Sequence, residues 1–130
     1  LFKAWDPSRL VDSTSGWFEQ EKSDFDSRHI YFRTPKIKKG GKGGRPLIIS
    51  ECGGYSLDLG QASGRTYGYG KCRDTAELTD RIVALYEKMV IPAVELGCCG
   101  CVYTQLSDIE DEINGLCARI DRLLRREETP

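Results

Sequence analysis

Arg45-Pro46-Leu47-Ile48-Ile49-Ser50-Glu51-Cys52-Gly53-Gly54 is the stretch on which the reading of this chain turns. Apolar and small residues after a proline read as a short strand covered on both faces, the kind found in parallel sheets. The strand ends on a carboxylate and runs into a glycine pair. A charge at the end of a buried strand points to a solvent-reachable site, and in α/β barrels that end is where chemistry sits. Gly53 and Gly54 allow a sharp turn and a close approach of backbone to a ligand. A strand that merely surfaces at a charged residue accounts for the same local pattern, so the rest of the chain must decide.

Upstream, Leu1 to Trp5 reads as the tail of a helix cut mid-element, stopped by Asp6-Pro7-Ser8. Arg9 to Thr14 is expected to form a strand, and Phe25 to Phe32 holds a second one centred on His29-Ile30-Tyr31-Phe32. Lys36 to Arg45 is a basic, glycine-rich linker, and Leu47 to Ser50 is the third strand. Gly53 to Lys71 reads as one long loop rich in glycine and tyrosine, the length at which loops are functional or disordered. Asp74-Thr75-Ala76-Glu77 is a capping-box start. After it Leu78, Ile82, Leu85, Tyr86 and Met89 fall on one helical face. Pro92 is placed to kink this helix and Gly97 to end it. Cys98 to Leu106 is the fourth strand, and Asn114-Gly115 a turn or helix end. From Leu116, the residues Ile120, Leu123 and Leu124 suit a last amphipathic helix, with a frayed end from Glu127.

A crossover helix between strands implies parallel pairing. Four parallel strands with so few covering helices would leave a raw sheet edge. The 130 residues are therefore expected to be one α/β domain that is part of a larger fold.

Nineteen basic and twenty acidic residues nearly cancel, which argues against a nucleic-acid partner and against a charged membrane surface. No apolar run approaches the ~20 residues of a membrane span. The chain opens without a signal peptide. Its six cysteines (Cys52, Cys72, Cys98, Cys99, Cys101 and Cys117) lack the rhythm of a secreted domain and read as reduced thiols in a cytoplasmic protein.

Pro46 to Tyr55, Val102 to Asp108 and Glu110 to Gly115 together resemble segments of glycoside hydrolase family 2, which contains β-galactosidases, β-glucuronidases and β-mannosidases. Asp6 to Trp17 and the His29-Ile30-Tyr31 segment look like the fifth and sixth strands of that family's (β/α)8 TIM barrel. Leu47 to Glu51 would then be the seventh strand and Cys98 to Leu106 the eighth. The resemblance runs to about Leu116, and it implies the C-terminal half of a barrel, strands five to eight. The family's acid/base glutamate follows an asparagine on the fourth strand, and this chain has no Asn-Glu pair. The stretch from Cys117 to Leu124 also departs from the family pattern.

What the resemblance implies is retaining hydrolysis of terminal β-glycosidic bonds, with Glu51 as nucleophile. Tyr31 would donate a hydrogen bond to that carboxylate. His29, two residues earlier on the same strand face, would hold a sugar hydroxyl. Tyr103 would stack on the sugar's apolar face. The expected partners are a carbohydrate and the remainder of the glycosidase chain, with self-association open; no cofactor is implied. The chain by itself is expected to be inactive. The rival reading is a non-catalytic carbohydrate-binding or structural module derived from a glycosidase barrel.

Other constellations are weaker. Cys98-Cys99-Gly100-Cys101 has a Cys-x-x-Cys spacing, but residues three apart on a strand face opposite ways, so no metal is expected. The Lys36 to Arg45 loop lacks the ending of a phosphate-binding P-loop and reads as a solvated connector. The acidic run Asp108 to Glu112 misses calcium-loop spacing and reads as helix-start charge.

Overall fold

The computed structural model describes residues 1–13, 16–18, 22–32, 36–57 and 67–117. They form an α/β structure with parallel strand pairing. Leu1–Cys52 together with Glu87–Val102 form one compact unit, and the described residues of the remainder form a second.

The first unit is built on a three-stranded sheet: β1 (Asp26–Ile30), β2 (Leu47–Gly53) and β5 (Cys98–Thr104), in the order β1-β2-β5. The stretch around Glu51 is thus the central strand. Leu47, Ile49 and Cys52 are its buried apolar side chains, joined in the core by Ile30, Met89, Val90, Ala93 and Cys98. β1 and β2 run parallel, pairing Asp26 with Leu47, Ser27 with Ile48 and Arg28 with Ile49. Then the register slips: His29 pairs with Glu51 and Ile30 with Cys52, leaving Ser50 as an extra residue in a β-bulge.

The expected strand at Arg9 to Thr14 is not formed. Side-chain oxygens take its amides instead: Val11 N donates to Asp24 Oδ2 at 2.8 Å, and Ser13 N to Ser23 Oγ at 3.3 Å. Thr14 itself lies outside the described residues. Phe2–Trp5 is a single helical turn, α1, and Asp6 caps the turn that follows by accepting from Ser8 N at 3.0 Å.

The basic linker is tied down rather than a purely solvated connector. Asp26 is almost fully buried, and its carboxylate accepts two bonds from the Arg28 guanidinium, at 2.8 and 3.1 Å. It also accepts one from Lys42 N at 2.8 Å, where a 3-10 turn (Lys42–Gly44) begins. Arg45 Nη1 donates to the carbonyls of Phe25 and Ser23 at 3.1 and 3.3 Å.

In the second unit the expected Gly53 to Lys71 loop contains a strand pair. Tyr55–Leu57 (β3) and Gly70–Cys72 (β4) run parallel in register. Glycine serves contact here rather than looseness, since a Cβ on Gly68 would lie 2.6 Å from that of Ser56. Residues 58–66 lie outside the described part.

The helix forms where the capping box predicts. α2 (Thr75–Leu85) starts on Asp74, whose Oδ1 accepts from Glu77 N at 2.8 Å. Glu77 turns back to Arg73, accepting from its Nε at 2.8 Å and its backbone N at 3.0 Å, and also meets Arg81. Those bonds, the Arg73 side chain first, hold the Glu77 carboxyl down at about 2. A carboxyl depressed on folding adds stability that is complete above its ordinary value of 4.5 and is lost as pH falls through about 2. Acid titration followed by amide exchange in α2 should show protection declining across that window, and less steeply in Glu77→Gln. An identical acid profile in the two proteins would remove the claim. Pro92 lacks the N–H that would bond to Lys88. The chain meets this with a π turn over Tyr86–Val90 before α3 (Ile91–Glu95), and Gly97 follows at φ +98°.

The acidic run does not begin a helix. Ile109 and Glu112 exchange backbone bonds of 3.1 and 2.9 Å around a tight turn, and Asp108 Oδ1 accepts from Gly115 N at 2.9 Å. Buried Asn114 accepts from Gln105 Nε2 at 2.8 Å and donates to Glu112 Oε1 at 2.9 Å. Leu116 and Cys117 are not helical: their amides bond to the carbonyls of Gln105 and Leu106 at 3.0 and 2.8 Å. Ile120, Leu123 and Leu124, on which the last predicted helix rests, lie outside the described residues.

Candidate active site

Glu51 stands near the carboxyl end of β2, two residues before Gly53, which turns at φ +91°. The bulge decides where its side chain goes. Strict alternation from Leu47 and Ile49 would send Glu51 into the buried face. With Ser50 as the extra residue, alternation resumes one position late. Cys52 takes the buried face, and the Glu51 side chain stays 40% exposed.

β1 and Tyr31, the residue just after it, bring the donors. His29 and Tyr31 lie two residues apart, so both project from the face that meets Glu51. Tyr31 Oη donates to Glu51 Oε2 at 2.6 Å. His29 Nδ1 lies 3.2 Å from the same oxygen, within ion-pair reach but without the alignment of a hydrogen bond. Both groups engage Oε2, so Oε1 is the oxygen presented without a partner among the described residues.

The His29 side chain is only 8% exposed, and Gly16 explains its fixed position. Gly16 sits at φ +65°, and its carbonyl accepts from His29 N at 3.4 Å. A Cβ on Gly16 would fall 2.3 Å from His29 Cδ2 and 2.8 Å from His29 N. Gly16→Ala is therefore expected to cost about 1–3 kcal/mol, combining left-handed strain with overlap against the imidazole and strand backbone. The check is the urea midpoint together with the His29 ring resonances. A midpoint and ring shifts equal to wild type would remove the packing role.

Trp17 completes the cluster, and the sequence reading assigned it no role. Its ring stacks on Tyr31 at 6.0 Å between centroids and 26° between planes, and meets His29 edge-on at 5.6 Å. It is 52% exposed, so an aromatic face beside the carboxylate remains open to a ligand. A bulky aromatic directly after a glycine, in a loop leading toward the site strands, was the available signal.

Three of the four expected site residues, Glu51, Tyr31 and His29, are thus brought together. Tyr103 belongs to the second unit, where its ring packs on Gly53 so closely that a Cβ there would lie 2.3 Å from it. A further cavity of about 330 Å³ lies at the amino ends of β1 and β2, lined by Asp26, Arg28, Lys36, Lys38 and Lys42. It is at the other end of these strands from Glu51. Among the described residues, no group of three or more histidines, cysteines or acids could hold a metal ion. No described helix is long and apolar enough to cross a membrane.

Compared with known proteins, the chain matches no family model and no curated protein sequence.

Proposed function

We propose that this chain supplies the nucleophile side of a retaining β-glycosidase, its three-stranded sheet standing as strands six to eight of a (β/α)8 barrel within a longer protein. One observation carries the reading. The Tyr31 hydroxyl sits on Glu51 Oε2 at 2.6 Å, at the carboxyl ends of two parallel strands. These are the residues that the resemblance to glycoside hydrolase family 2 pairs as nucleophile and donor.

In the proposed reaction Glu51 Oε1 attacks the anomeric carbon of a terminal β-linked sugar. The bond to the leaving oxygen breaks, and that oxygen takes a proton from a second carboxyl group ~5–5.5 Å away. Water then attacks the glycosyl ester, giving its proton to that group and freeing Glu51. The second carboxyl would come from the part of the barrel outside this chain. Tyr31 and His29 fix Oε2, so the other oxygen is aimed. The open face of Trp17 suits the apolar face of a sugar ring, the stacking role that the resemblance gives to Tyr103. β1 and β5 are the outer strands of the sheet, the edges on which a barrel would continue. All six cysteines are free, which fits a reducing cytoplasm.

The test is a panel of chromogenic aryl β-glycosides, given to the full-length protein and to the 130-residue chain. Release by the full-length protein with retained anomeric configuration is expected, and none by the chain. Sugar binding without turnover by the full-length protein would favour a binding module. Robust turnover by the chain would overturn the half-barrel reading.

A further inference from the structure

We propose that Cys52 and Cys101 form a peroxide-reactive pair whose disulfide disables the Glu51 site. The two residues lie on neighbouring strands, β2 and β5, with their sulfurs 3.4 Å apart. Adjacent strands run ~4.7–4.9 Å apart, inside the ~4.4–6.8 Å between Cα atoms that a disulfide spans. The sulfurs need only close to about 2.0 Å. The other cysteines of this unit are engaged elsewhere: Cys98 Sγ donates to the Gly100 carbonyl and Cys99 Sγ to that of Leu47.

The pair is asymmetric in a way that sets an order of events. Cys52 is 0% exposed, whereas Cys101 is half-buried and reachable. The hydrogen bond shared with Cys52, whose thiol also lies 3.5 Å from the Val102 carbonyl, holds Cys101 below the ordinary thiol range. That bond and burial push Cys52 up. The thiolate is the reactive form, so a hydroperoxide meets Cys101 first.

With hydrogen peroxide, the Cys101 sulfur attacks one oxygen, the O–O bond breaks, and the leaving oxygen departs as water with the thiol proton. Cys101 becomes a sulfenic acid. Cys52 then attacks that sulfur, the S–O bond breaks, and a second water leaves with the Cys52 proton. Two thiols and one peroxide yield one disulfide and two waters, and the pair gives two electrons to the peroxide.

The consequence for Glu51 follows from strand order. Cys52 is its neighbour in β2, two residues past the extra residue of the bulge, Ser50. Tyr31 and His29 act from the β1 side, while Cys101 is on the β5 side. Drawing Cys52 toward β5 moves the Glu51 backbone away from its donors. A displacement of about 1 Å at a reacting group costs on the order of 10²-fold in rate. Disulfide formation is independent of the glycosidase reading; the loss of hydrolysis rests on it.

The test uses reduced full-length protein treated with stoichiometric hydrogen peroxide, alkylated, digested and mapped by mass. A Cys52–Cys101 link is expected, lost in Cys101→Ser and kept in Cys99→Ser. In Cys52→Ser, oxidation should stop at a Cys101 sulfenic acid that dimedone traps. Hydrolysis of an aryl β-glycoside should fall about 10²-fold and return with dithiothreitol. Two thiols still alkylatable after peroxide, or a link that survives Cys101→Ser, would overturn the pair. A disulfide with hydrolysis unchanged would overturn its effect on Glu51. If the protein hydrolyses no glycoside at all, the glycosidase reading fails, while the mass map still decides on the pair.

Discussion

Glu51→Gln in the full-length protein is expected to lower hydrolysis of an aryl β-glycoside by about 10⁴-fold or more, the scale on which loss of a covalent nucleophile is felt. The amide matches the carboxylate in shape, and its oxygen can still accept from Tyr31. It cannot form the glycosyl ester, so the first bond-making step has no nucleophile. The fold should not change, because the Glu51 side chain is 40% exposed and, among the described residues, bonds at Oε2 alone. Circular dichroism and the urea midpoint should match wild type. Glu51→Ala adds a diagnostic that a structural role would not produce. The space left by the carboxylate admits a small anion such as azide, which should restore turnover and give a glycosyl azide of inverted configuration. Near-normal turnover by Glu51→Gln would sink the nucleophile assignment. Tyr31→Phe keeps the nucleophile and removes one donor, so its effect should be smaller, and azide should not rescue it.

The central strand was legible because its signal is local. Four apolar or small residues after Pro46 have few other solutions, and a carboxylate followed by two glycines marks a strand end. The α2 start was legible for the same reason: Asp74 and Glu77 act on each other and their near neighbours. What the sequence hid depends on distant partners. Arg9 to Thr14 reads as a strand by composition, yet Asp24 and Ser23 capture its amides from ten or more positions away. The glycines between Gly53 and Lys71 suggest a loop, but at Gly68 the missing side chain lets β3 and β4 approach. The bulge at Ser50 has no signature at all. Counting by twos from Leu47 puts Glu51 in the core, and only the pairing with β1 reveals the extra residue. Gly16 and Trp17 were hidden likewise, since their importance lies in touching His29 and Tyr31.

Ile49→Ala should bring the largest stability loss in the sheet, about 2–5 kcal/mol. Ile49 is 0% exposed on the central strand, so its missing atoms leave a cavity flanked by β1 and β5 rather than a dent open to water. Against a typical domain stability of about 5–15 kcal/mol, that loss is large enough to unfold a marginal protein. Ile49→Val removes one methylene, should cost about 0.5–1.5 kcal/mol, and keeps the question answerable if the alanine variant does not fold. Ile48 provides the internal control. It points the other way and is half-buried, its side chain 3.3 Å from where a Cβ on Gly100 would stand. Ile48→Ala should therefore cost clearly less. The measurement is the urea midpoint at unchanged slope, which separates a stability change from a change in the surface exposed on unfolding. Ile49 also sits immediately before the bulge, so in the valine variant amide exchange at Glu51 and Cys52 should speed up more than in α2. Equal costs for Ile48→Ala and Ile49→Ala would mean that the two faces of β2 are buried alike. The bulge could not then be what keeps Glu51 out of the core.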